Sequence, residues 1–132
     1  MLDRRLYDTR FFVEYFYSDD VEFVKKLKEE LRSVKERMVS SLTVHEMHRV
    51  NLQREGKAVA ALRSNAIRGD FRVLDVDYEI AVKSAELRST NHMPMTDSVI
   101  AATAQIHDCI LFSDDAHFKE VKNLKTKWST TL

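Results

Sequence analysis

The chain has 132 residues, 44% of them hydrophobic and 32% charged, which is enough for one domain with a real core and too apolar for a disordered segment. Twenty-one basic residues balance twenty-one acidic ones, so no partner is indicated by net charge, although local patches stay open. One cysteine, Cys109, excludes an internal disulfide and sits in an apolar run, as a small hydrophobe would.

With two glycines and one proline, most of the chain reads as regular structure. Residues 5–8, RLYD, predict a short strand, and residues 9–17, TRFFVEYFY, a helix. SDD opens a second helix, with Asp19 and Glu22 spaced as a capping box. Val24, Leu27, Leu31 and Val34 give that helix its apolar stripe. RMVSS at 37–41 predicts a strand. TVHEMHRVNLQRE at 43–55 predicts a helix closed by Gly56, and KAVAALRSNAIR a helix closed by Gly69.

FRVLDV at 71–76 is the clearest strand, and DYEIAVKSAELRST a helix that stops before Pro94. TDSVIAATAQIH predicts a helix with an alanine-rich face suited to close packing. CILFS at 109–113 reads as a strand, DAHFKEV as a helical turn, and KTKWS at 125–129 as a last short strand. Strands alternating with helices imply an α/β fold, a parallel sheet covered on both faces. The whole of 1–132 is expected to form one domain. The charged start MLDRRLYD carries no apolar signal-peptide core, and no stretch reaches transmembrane length, so a cytoplasmic protein with no membrane partner is expected.

Ligands of parallel sheets bind outside the carboxyl ends of the strands. Acidic residues stand at those junctions: Asp8, Glu46, Asp97 and Asp115, with Asp75 and Asp77 following another strand. Taken singly, each reads as a helix cap, and Thr43 with Glu46 as an ordinary capping box. Taken together, converging carboxylates repel unless a cation neutralises them, and hard oxygens suit Mg²⁺ or Mn²⁺.

YDTRFF, SSLTVHEM, MPMTDSVIAATA and LFSDDAHF, in that order along nearly the whole chain, together resemble the PIN domain, in particular the small toxins of the VapC kind. The resemblance implies a three-layer α/β/α domain with a central parallel sheet. It also implies a metal-dependent endoribonuclease, most often the toxin of a toxin–antitoxin pair, leaving a 5′-phosphate and a 3′-hydroxyl. The family's acidic positions fall on Asp8, Glu46, Asp97 and Asp115, as ligands of Mg²⁺ or Mn²⁺ and catalytic groups. Thr9, Ser41 and Ser113 match its polar positions beside the metal, and Asp114 its variable one. The first strand is more charged than usual in the family, and Ser113 stands where Thr is commoner. The partners implied are RNA, a second copy in a homodimer, and a small antitoxin protein.

VHEMH resembles a zinc helix, but His45 and His48 are three apart where H-E-x-x-H needs four, so a polar helix face is the reading. His117 reads as a surface histidine that can reach substrate, and His92 and His107 have no constellation around them. The aromatics at 10–17 read as core or interface, in excess of what one small sheet covers. Arg10, Arg49, Arg54 and Lys57 can hold RNA phosphates or merely solvate helix faces. A receiver-type doubly wound domain needs its acid pair after the first strand, whereas DD here comes late. An RNA-processing nuclease without an antitoxin, and a PIN-like fold that binds without catalysis, are the remaining alternatives.

Overall fold

The computed structural model describes residues 3–128. Five parallel strands, β1 (Arg4–Tyr7), β2 (Glu36–Ser40), β3 (Arg72–Leu74), β4 (Ile110–Phe112) and β5 (Thr126–Lys127), form one sheet in the order β3-β2-β1-β4-β5. Six α-helices connect them: α1 (Thr9–Tyr17), α2 (Val21–Ser33), α3 (Ser41–Glu55), α4 (Lys57–Asp70), α5 (Tyr78–Thr90) and α6 (Met95–Ile106), with a 3₁₀ turn at Ala116–Glu120.

Strand alternation divides the core in two. Leu6, Met38 and Leu111 face a cluster with Ile80 and Leu87 of α5 and Val99, Ile100 and Ala102 of α6. Their chain neighbours Tyr7, Val39 and Phe112 face the other side, against Phe11 and Phe12 of α1, Leu27 and Leu31 of α2, Met47 of α3 and Ile67 of α4. Successive strand side chains point to opposite faces, so each short apolar run feeds both cores. The result is the expected three-layer α/β/α arrangement with a parallel sheet. Among the described residues no helix is long and apolar enough to cross a membrane.

The expected elements are present, with shifted ends. The cap of α2 is Asp20, whose carboxylate accepts from Phe23 N at 3.1 Å, not Asp19. Gly56 closes α3 at φ 88°, a left-handed conformation that favours glycine. Gly69 closes nothing, because α4 runs through it to Asp70 and stops where the buried Phe71 turns into β3. The strand over 71–76 shortens to three residues, since Asp75 and Val76 are exposed beyond the sheet. Ser129, the end of the expected last strand, lies outside the described residues.

The aromatics of α1 are packed rather than displayed. Phe11 and Phe12 are fully buried, and Tyr15, Phe16 and Tyr17 are half-buried. Phe11 meets Tyr7 at 4.6 Å between ring centroids, and Phe12 meets Phe71 edge-on at 5.1 Å. The excess of aromatic surface expected from sequence is therefore largely absorbed by the core. Cys109 is also buried, its thiol pushed up to about 11 by that burial, and lies 3.4 Å from the Met38 sulfur.

Candidate functional site

Strand order sets the site. β2 and β3 extend from one side of β1, while β4 and β5 extend from the other. The switch point therefore lies between β1 and β4, and the crevice beyond their carboxyl ends is where α/β sheets hold ligands. The register pairs Tyr7 with Phe112, so the next residues, Asp8 and Ser113, meet side by side.

A connected set of polar side chains follows. Ser113 Oγ donates to Asp8 Oδ2 at 2.9 Å and accepts from Asp115 N at 3.1 Å. The other Asp8 oxygen, Oδ1, accepts from Thr9 N at 2.8 Å, capping α1. Thr9 Oγ1 donates to Glu46 Oε1 at 2.6 Å, reaching across to α3. His117 Nδ1 lies 2.9 Å from Asp97 Oδ2 and 3.1 Å from Asp115 Oδ1. Asp97 stands in the first turn of α6, and Asp115 accepts from His117 N at 2.9 Å at the head of the 3₁₀ turn. Glu46, Thr9, Asp8, Ser113, Asp115, His117 and Asp97 thus form one chain of contacts.

Capping and site-building are not exclusive here: Asp8 divides its two oxygens between them, and Asp115 Oδ1 serves both. Asp8 and Asp115 both cap, yet both also touch other site residues. The capping box of Thr43 with Glu46 does not form: Ser40 Oγ caps α3 through Leu42 N at 3.1 Å, Thr43 is buried, and Glu46 faces Thr9 instead. Ser41 begins α3 and lines a separate apolar groove with Leu42, His45 and Val76. Asp75 is exposed and Asp77 caps α5 through Ile80 N.

Electrostatics follow from the crowding. Burial first, then the nearby charges of Asp97 and Asp115, raise the Asp8 carboxyl to about 6, against the lowering pull of its bonds to Ser113 and Thr9. Asp97 is likewise raised, by burial and then by Asp115, with His117 opposing. A group of carboxyls that resists ionisation is one that a divalent cation would relieve. Asp97, Asp115 and His117 offer ligand atoms that all lie within 4.8 Å of one another. The donor set of carboxylate oxygens with one imidazole nitrogen fits such an ion.

The remaining candidates separate. Asp114 is exposed and pairs with Arg10 at 2.6 Å between Oδ1 and Nε. Of the four basic residues singled out, Arg10 is thereby tied to the crevice, while Arg54 stacks over the Tyr17 ring at 4.4 Å and Arg49 and Lys57 are exposed. His45 is exposed and His48 shares a 2.6 Å hydrogen bond with Ser64, so among the described residues the two histidines of VHEMH join no metal group. His117 is the residue sequence reading undervalued. Its signal was proximity to Asp115, two positions away, but its contact with Asp97 depends on α6.

A family model, described as the PIN domain, matches residues 5–124. No curated protein matches the chain in sequence. Solved structures are similar in fold. A toxin–antitoxin complex from Klebsiella pneumoniae is 21% identical, with 91% of this chain and 94% of that one covered at a TM-score of 0.73. VapBC-1 from nontypeable Haemophilus influenzae is 14% identical, with 96% and 98% covered at 0.82. VapC20 from Mycobacterium tuberculosis, a toxin that cleaves the sarcin-ricin loop, is 19% identical, with 85% and 90% covered at 0.68.

Proposed function

The chain belongs to the PIN-domain family, and from that premise we propose that it is a metal-dependent endoribonuclease acting as the cytoplasmic toxin of a toxin–antitoxin pair. The observation that carries the reading is the convergence of Asp8, Asp97 and Asp115, with Glu46 linked through Thr9, at the switch point of the sheet. Asp8, Asp97 and Asp115 hold Mg²⁺ or Mn²⁺, with Glu46 as a further ligand or the group that orients the attacking water. When bound, the ion supplies positive charge against the phosphate and lowers the pKa of water.

The protein's own side chains do the positioning. Ser113 fixes Asp8 through one oxygen and the Asp115 backbone through its own lone pair. Thr9 occupies one oxygen of Glu46, leaving the other to accept a proton from water. Arg10, at the exposed rim, is placed to meet an RNA phosphate when it exchanges Asp114 for substrate. The proposed products are a 5′-phosphate and a 3′-hydroxyl.

The antitoxin reading has support in a groove of about 370 Å³ between α1, α2 and α4. Phe12, Phe16, Leu31 and Phe71 line it, and Lys28, Arg32 and Arg37 stand on it against Asp70. An apolar peptide segment carrying acidic residues suits that lining. A homodimer through α1 and α2 completes the proposal, and light scattering that finds only monomer at tens of micromolar, about the range for a specific interface, would remove it.

The test is cleavage of a mixed RNA pool in Mn²⁺. Cleavage should vanish with EDTA and in Asp97→Asn. Persistence in both would overturn the nuclease reading.

A further inference from the structure

The donor set beyond β4 is not all oxygen. His117 Nδ1 stands within hydrogen-bond distance of carboxylates from two different elements, Asp97 of α6 at 2.9 Å and Asp115 after β4 at 3.1 Å. Nδ1 carries either one proton or one lone pair, and a single proton cannot point well at both oxygens. A single ion between the three atoms would satisfy all of them. The backbone is set for this. Asp115 Oδ1 accepts from His117 N, and Asp115 N is itself held by Ser113 Oγ, so the histidine is pinned to the acid it would join. Its side chain is half-exposed, which leaves the ring free to turn its lone pair toward an arriving ion.

Resting on the proposed metal site, we infer that His117 Nδ1 is a ligand atom, and that the site prefers first-row transition ions to Mg²⁺. Mg²⁺ holds its waters tightly and favours hard oxygen donors. An imidazole nitrogen adds little for it. For Mn²⁺, and more for Co²⁺, nitrogen is a productive donor, and affinity rises along that series. Two carboxylates alone would discriminate less. His117 would thereby set which ion the protein takes from a mixed pool, without itself touching RNA.

The full-length chain is titrated with MnCl₂, CoCl₂ and MgCl₂ alone, by calorimetry and by thermal shift, as the parent, His117→Ala, His117→Gln and Asp97→Asn. The parent should bind Co²⁺ more tightly than Mn²⁺, and Mn²⁺ more tightly than Mg²⁺. His117→Ala should weaken Mn²⁺ and Co²⁺ by about tenfold or more and Mg²⁺ by less than about threefold, the range expected when one of several ligands is lost. Electron spin echo of the Mn²⁺-loaded parent should show nitrogen modulation, which needs no variant to fold. Parent-like ion preference in both His117 variants, with no nitrogen modulation, would overturn this inference while leaving the site intact. Mn²⁺ binding that Asp97→Asn does not weaken would overturn the underlying site, and the inference with it.

Discussion

Ser113 Oγ donates to Asp8 Oδ2 at 2.9 Å between residues 105 positions apart in the chain. The bond joins the ends of β1 and β4, and it is made to a carboxyl that is only 7% exposed. That single contact brings together the first and last acidic motifs, and it leaves Asp8 in a place where its charge is costly.

The cost has a sign that pH can read. Asp8 is raised from 3.8 to about 6, so the folded protein holds a proton that the unfolded chain releases earlier. Below about pH 4 both states are protonated and the burial is nearly free. Between 4 and 6 stability falls as pH rises, and above 6 the whole penalty is felt, on the order of 2–3 kcal/mol. Asp8→Asn should therefore raise the metal-free melting temperature at pH 7.5 by several degrees and change it little at pH 3.5. Equal shifts at both pH values would mean that the charge is not the cause.

Why Asp8 belongs with Ser113 was only half legible. Each residue ends an apolar run, and that is visible in RLYD and CILFS. Their adjacency needs the strand order, in which β4 lies beside β1. The layers were legible for a similar reason, since two-residue apolar runs such as LY at 6–7 and LF at 111–112 serve two cores at once. Local competition was not: Asp19 and Asp20 are equally good caps on paper, and α2 uses the second. Gly69 looked like a stop, but the end of α4 is decided by where Phe71 can be buried. Pairings such as Arg10 with Asp114 or His117 with Asp97 are tertiary, and no spacing announces them.

Metal linkage gives a second expectation. Neutralising Asp8, Asp97 and Asp115 should stabilise the folded state in proportion to the ion's occupancy. Millimolar Mn²⁺ should raise the melting temperature of the parent, and the shift should vanish in the double variant Asp8→Asn, Asp97→Asn. A melting curve unchanged by Mn²⁺ would count against the site.

Along β1 the sheet also holds a different kind of charge. Arg5 donates through its guanidinium to Glu30 of α2, which also accepts from the Tyr7 hydroxyl at 3.2 Å. The Glu30 side chain is buried and that of Arg5 largely so, and burial with Glu30 pushes the Tyr7 phenol up. Arg5→Met should leave Glu30 buried without its partner and cost about 3–5 kcal/mol, whereas adding Glu30→Leu should recover most of the loss. Denaturant midpoints measure both. Mn²⁺ affinity of the folded variants should stay at the parent's value, because this pair lies away from the acidic crevice.

The adjacent acids Asp114 and Asp115 have different work. Asp114 Oδ1 meets Arg10 at 2.6 Å on the exposed rim, a surface pair worth little to stability. Asp115 faces inward, its Oδ1 shared between the backbone and ring of His117, and its charge raises both Asp8 and Asp97. Asparagine at 115 keeps an oxygen for the capping bond, so folding should survive, and metal-free stability should rise as repulsion falls. RNA cleavage in Mn²⁺ should nevertheless drop by orders of magnitude, with weaker metal binding, because the site loses a charge that the cation needs. Asp114→Asn frees Arg10 and removes no ligand, so its rate should stay within about tenfold of the parent, roughly 1.4 kcal/mol of barrier. Both variants are compared with the parent on one mixed RNA pool, with an EDTA control. An inactive Asp114→Asn beside an active Asp115→Asn would show that the motif is read one residue out of register. Full activity in both would make the cluster structural and end the nuclease proposal.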